Sequence, residues 1–154
     1  VTLTNAQEGL KVSPVVKATA TASGQKLQYP QTDKPEIDSV LIEIAPGGET
    51  GLHMHPVPAY VYVVEGTVTV EMDHGSPREY AAGSGFVESV NSWHNGKNLG
   101  QAPVKVLVVF VSEEGKKMCG KQRIEPMFLI LILSVPLLPV APIKVVAPVA
   151  TSIV

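Results

Sequence analysis

Apolar and polar positions in the first 126 residues fall into short runs rich in Val, Ile, Thr and Tyr, and Gly, Pro, Asn and Asp separate one run from the next. In one run Val68, Val70 and Met72 alternate with Thr67, Thr69 and Glu71, the period of a strand with one buried and one wet face. Asp73 to Pro77 then reads as a hairpin turn. The same reading predicts strands over Val12 to Ala20, Gln25 to Tyr29, Ile37 to Ala45, Leu52 to His55, Tyr60 to Glu65, Thr67 to Met72, Arg78 to Ala81, Phe86 to Val90 and Val104 to Val111. No long stretch of this region has helical periodicity. The expectation is an all-β fold of about nine strands, sandwich or barrel.

Composition changes this picture at one end. The chain has 154 residues, which suits one domain. Of the 28 residues from Met127 to Val154, 20 are hydrophobic, four are proline and only Lys144 is charged. The uncharged run from Pro126 to Ile143 has 18 residues, near the minimum for a membrane-spanning helix. Pro136, Pro139 and Pro142 argue against a helix, because each removes a hydrogen bond. Membrane contact of the tail is therefore disfavoured, and an extended segment packed on the barrel or a partner competes with irregular sequence. The net charge of -2 gives no electrostatic drive toward nucleic acid. Cys119 is alone, so neither an intramolecular disulfide nor a cysteine zinc cluster can form. Cytoplasmic and periplasmic locations both stay open.

The chemistry concentrates in the histidines. His53 and His55 are two apart in a predicted strand, so both rings point to one face. Two neutral imidazoles side by side are half a site for a divalent transition ion such as Fe, Mn, Ni, Cu or Zn. His74 belongs to the hairpin turn and reads as a surface residue. His94 lies further on.

The flanking residues extend the pattern. The first set reads Gly47-x5-His53-Met54-His55-x3-Ala59-x6-Gly66, and the second reads Gly83-x5-Ser89-x-Asn91-x2-His94-x3-Asn98. Together, in this order and with a hairpin between them, they resemble the two motifs of the cupin family, G-x5-H-x-H-x3-E-x6-G and G-x5-P-x-G-x2-H-x3-N. The resemblance covers about residues 36 to 112. It implies a single cupin barrel, a double-stranded β-helix or jelly roll, with residues 1–35 supplying N-terminal strands, 36–115 the core and 116–154 an extension. It also implies a metal held by His53, His55 and His94, and a homodimer.

Three positions depart from the family pattern. Ser89 and Asn91 stand where the motif has proline and glycine, and both suit a turn. Ala59 stands where the motif has glutamate, and alanine cannot ligate. Three readings follow: a three-histidine site open to water, substrate or dioxygen, as in cupins that oxidise thiols or diketones; a barrel that binds a small molecule without metal; or a site whose carboxylate comes from Glu88 or Glu49. Asn98 is expected to fix backbone groups rather than to touch metal.

Candidates to line the barrel are Tyr60, Tyr62, Val64, Val68, Val70, Met72, Phe86, Val90, Trp93, Val106, Val108 and Phe110. Tyr60 and Tyr62 are catalytic candidates, since a phenol near an open metal can donate a hydrogen bond or a proton. No Ser-His-Asp elbow, phosphate-cradling glycine loop or basic aromatic patch is present. The expected function is a metal-binding cupin with a three-histidine site, acting on a small organic molecule as a non-haem iron dioxygenase-like oxidoreductase. The alternatives are a non-enzymatic binding or sensing module and a metal-dependent isomerase or decarboxylase.

Overall fold

The computed structural model describes residues 9–121, so the expectations placed on 122–154 lie outside the described residues. Within them the chain forms strands and no helix. In order these are β1 (Pro35–Ile44), β2 (His53–Met54), β3 (Ala59–Glu65), β4 (Thr67–Met72), β5 (Arg78–Ala81), β6 (Gly85–Glu88), β7 (His94–Lys97), β8 (Val104–Glu113) and β9 (Gly120–Lys121). They build two sheets, ordered β1-β8-β3-β6 and β5-β4-β7-β2-β9, with antiparallel strand pairing throughout. The architecture is the jelly-roll barrel that the resemblance implied.

Alternation decides what fills it. Along β8, Val104, Val106, Val108, Phe110 and Ser112 are buried, while the residues between them are half-exposed. Val61 and Val63 from β3, Val68 and Val70 from β4, and Phe86 from β6 complete the apolar interior. Burying such side chains contributes roughly 1.5–3 kcal/mol each, which is what holds a barrel without disulfides together.

Several sequence expectations need correction. Val12 to Ala20 and Gln25 to Tyr29 are not strands; only an isolated bridge, Ala20 to Lys26, forms there. This segment is instead bound to β6 and the residues after it. Ala22 N–H donates to the Val87 carbonyl at 2.7 Å, and Gln25 exchanges side-chain hydrogen bonds with the Val90 backbone. The hydroxyls of Thr21 and Ser23 contact that of Ser89, so the serine standing in the proline position tethers the N-terminal segment. β7 was not foreseen because His-Asn-Gly-Lys has no β propensity; its place between β4 and β2 makes it a strand.

Two turn positions show why particular residues stand there. Asn91, in the motif's glycine position, has φ of 54°, a left-handed conformation that asparagine tolerates better than most residues. Gly66 has φ of 76°, and a Cβ there would lie 2.8 Å from the Pro103 carbonyl oxygen. Only glycine fits both demands.

Candidate metal centre

β2 and β7 bring the histidines together. His53 and His94 are direct partners in the β2–β7 ladder, and His55 follows β2 in a parallel bridge to Val90. The ring centroids are 4.9 Å apart for His53 and His55, 4.4 Å for His53 and His94, and 5.1 Å for His55 and His94. One ring nitrogen from each lies within 4.8 Å of the others. Phe110, from the buried interior, packs edge-on against His55 with ring centroids 5.0 Å apart.

The second nitrogen of each ring faces a backbone carbonyl. Nδ1 of His53 is 2.8 Å from the Gly51 oxygen, Nδ1 of His55 is 2.6 Å from that of Met118, and Nδ1 of His94 is 3.0 Å from that of Ser92. A carbonyl only accepts, so Nδ1–H must donate in all three. In the neutral rings Nε2 then carries the lone pair, the tautomer a metal ligand needs.

Glu88 lies against two of these nitrogens. Its Oε2 is 3.1 Å from His55 Nε2 and its Oε1 is 3.4 Å from His94 Nε2. Both contacts are within ion-pair range, yet Glu88 Oε2 and His94 Nε2 are buried without a directed hydrogen bond. Burial opposes ionisation of Glu88, and the close His55 and His94 rings outweigh it, holding the carboxyl down at about 2. Burial lowers the His94 pKa and Glu88 raises it, with a net upward result; burial leads the lowering at His53. Three neutral imidazoles and a carboxylate, with orphaned buried donor atoms, fit a borderline divalent ion.

Glu88 owes its position to register. It is the Cα partner of Ala59 in the β3–β6 ladder, so it stands beside the position where the family motif has its glutamate. Glu49, by contrast, stays outside the cluster; it accepts from Asn95 Nδ2 at 2.9 Å. Asn95 Oδ1 accepts from the Thr50 hydroxyl at 3.3 Å, and that hydroxyl accepts from Gly96 N–H at 3.0 Å. These contacts fix the loop whose Gly51 carbonyl orients His53. Sequence reasoning did not single out Gly51, Thr50, Asn95 or Met118, because their roles run through backbone or second partners. His74 is on the surface, 94% exposed. Asn98 is buried and donates to the Ile44 and Ala102 carbonyls, 2.8 Å each.

Tyr60 and Tyr62 do not join the cluster. Ala59, Val61 and Val63 point inward, so the two tyrosines occupy the opposite face of β3. The bulge between Val63 and Glu65 in the β3–β8 ladder also leaves Val64 46% exposed. Val90 and Trp93 are not among the residues lining the cavity beside the histidines, whereas Val68, Val70, Phe86, Val106, Val108 and Phe110 are. A larger groove of about 400 Å³ between the N-terminal segment and the barrel contains none of the histidines.

Residues 40–110 match the family model described as a cupin domain. The barrel is a cupin. Among solved structures, a variant of oxalate decarboxylase from Bacillus subtilis is similar at 20% identity, over 64% of this chain and 28% of that one, with a TM-score of 0.52. The DMSP lyase DddQ from Ruegeria pomeroyi is similar at 15% identity, over 56% of this chain and 43% of that one, with a TM-score of 0.50. At these identities the likeness shows the cupin fold alone. The chain thus spans less than half the length of either protein. Comparison with curated proteins finds no match.

Proposed function

We propose that this cupin holds a divalent transition-metal ion through His53, His55, His94 and Glu88, and acts on a small organic molecule in a dioxygenase-like oxidation. The observation that carries the metal reading is the set of three Nδ1 atoms directed at backbone carbonyls, which leaves an Nε2 lone pair on each of three clustered rings, two of them against the buried carboxylate of Glu88. When bound, such an ion supplies Lewis acidity and, where redox-active, a route for electrons between an organic molecule and dioxygen. Glu88 provides the negative charge that Ala59 cannot. The backbone acceptors hold each ring in its tautomer and orientation, and the apolar walls limit water. The donor set of three imidazoles and one carboxylate is compatible with the iron or manganese that an oxidation would need, and equally with zinc, nickel or copper, so the oxidative part of the reading rests on its experiment.

The homodimer belongs to this proposal too. β1 is a ten-residue edge strand, with Ile37 64% and Leu41 62% exposed, and a second copy would cover them. Light scattering at micromolar concentration tests it, and a monomer would refute it.

Metal content after purification without chelators tests the centre itself. Near-stoichiometric iron with oxygen uptake on a substrate panel supports the whole reading. Metal without oxygen uptake on any compound removes the oxidative part. Absence of metal, with His53→Ala leaving the melting temperature unmoved when Zn²⁺ or Mn²⁺ is added to both proteins, removes the centre.

A further inference from the structure

The cavity beside the histidines has a volume of about 60 Å³. A water-sized group needs roughly 10–15 Å³ of such space, so the cavity takes about four to six non-hydrogen atoms. Its walls include Ile42, Val61, Val68, Phe86, Val108 and Phe110, and the polar side chains lining it are Thr50, His53, His55 and Glu88. Those four form one patch: the Thr50 hydroxyl is 3.4 Å from His53 Nδ1, the His53 and His55 rings adjoin, and Glu88 contacts His55 at 3.1 Å. No Lys, Arg, Asn, Gln, Ser or Tyr side chain lines the cavity among the described residues.

Ligand chemistry follows from this one-sided polarity. A polar head can be satisfied only at the histidine and Glu88 patch. Any second polar group further along the ligand would be buried against aliphatic carbon with no partner, and a second charge there would have no counter-ion.

Resting on the metal reading above, we infer that the ligand of this site is a small single-headed molecule, with one oxygen-donor group at the patch and a hydrocarbon body filling the rest. Dicarboxylates, sugars and free amino acids fall outside this class, because each carries a second polar group. The walls therefore set specificity, with Val61 and Val108 facing the body of the ligand.

The test uses the full-length, metal-loaded protein and two monoanions of equal charge, head group and heavy-atom count: butyrate, and 3-hydroxypropionate, in which a hydroxyl replaces the terminal methyl. Isothermal titration calorimetry is expected to show butyrate binding at least tenfold more tightly. Val61→Thr, which adds a hydroxyl to the wall at nearly constant volume, is expected to narrow that preference, with circular dichroism checking that it folds; Val108→Thr repeats the test on another strand. Octanoate is expected to bind more weakly than butyrate. Equal binding of the matched pair, octanoate as tight as butyrate, an unchanged preference in both threonine variants, or no binding of either probe to a metal-loaded protein would each overturn this inference while leaving the metal centre standing. Failure to load metal would overturn both together.

Discussion

Moving the carboxylate from β6 back to β3 tests the centre most directly. Ala59 and Glu88 are Cα partners on one face of the β3–β6 ladder, and side chains so paired have Cβ atoms about 4.5–5.5 Å apart. A glutamate at either position can therefore reach the same space beside the rings. Glu88→Ala removes the carboxylate that lies 3.1 Å from His55 and 3.4 Å from His94. Removing a partner outside the ligand shell of a metal site costs about 10–100-fold in affinity, so loss of the carboxylate proposed as a direct donor should cost at least about 100-fold. That corresponds to about 2.8 kcal/mol. Adding Ala59→Glu to Glu88→Ala is expected to return affinity to within about tenfold of the unaltered protein. Ala59→Glu alone should do harm, because position 59 is fully buried and a second carboxylate beside Glu88 is an uncompensated charge costing roughly 3–5 kcal/mol. The same substitution thus destabilises one background and repairs the other. Chelator-competition titrations with Zn²⁺ or Mn²⁺ measure affinity, and thermal melts by circular dichroism measure the fold. The reasoning is refuted if Glu88→Ala binds the ion within about twofold of the unaltered protein, or if Ala59→Glu behaves alike in both backgrounds.

Other substitutions probe the scaffold. Asn98→Ala should lower unfolding free energy by about 3–5 kcal/mol, since it leaves the Ile44 and Ala102 carbonyls and Gly100 N–H without their partner; a urea titration giving a much smaller loss would contradict the accounting. Gly66→Ala should cost about 2–5 kcal/mol, combining left-handed backbone with the clash at Pro103, whereas Gly83→Ala, with φ of 87° and open space, should cost only about 1–2 kcal/mol. Parallel urea curves compare them, and equal losses would show that the clash is not felt. Tyr60→Phe and Tyr62→Phe should leave metal affinity within about twofold, as both rings lie on the outer face of β3; a larger change in the chelator titration would place them in the site after all.

Much of this arrangement was legible in the sequence. Period-two alternation marked most barrel strands, and the spacing of His53 and His55 put their rings on one face, as observed. Glu88 could be named because it lies six residues before His94, but its contact with the rings depends on register with Ala59, which no local pattern encodes. The inward face of β3 was misread because Tyr-Val-Tyr-Val is apolar in both phases. The motif held the missing cue: position 59, where family members have a ligand, faces inward, so 61 and 63 must follow. The N-terminal runs looked like strands because Val and Thr are common there, yet they found no ladder to join.

The three ring anchors differ in how far along the chain they lie. His53 and His94 each use a carbonyl two residues away, so their orientation can be set as soon as local backbone forms. His55 uses Met118, 63 residues later, on the stretch that returns as β9 to pair with β2. Closing so long a loop carries an entropy cost that short turns do not. Two rings are thus anchored by local backbone, and the third only when β9 docks on β2. If the three rings hold an ion as proposed, a chain in which β9 has not docked presents His55 without the carbonyl that orients it, and so an unfinished set of donors.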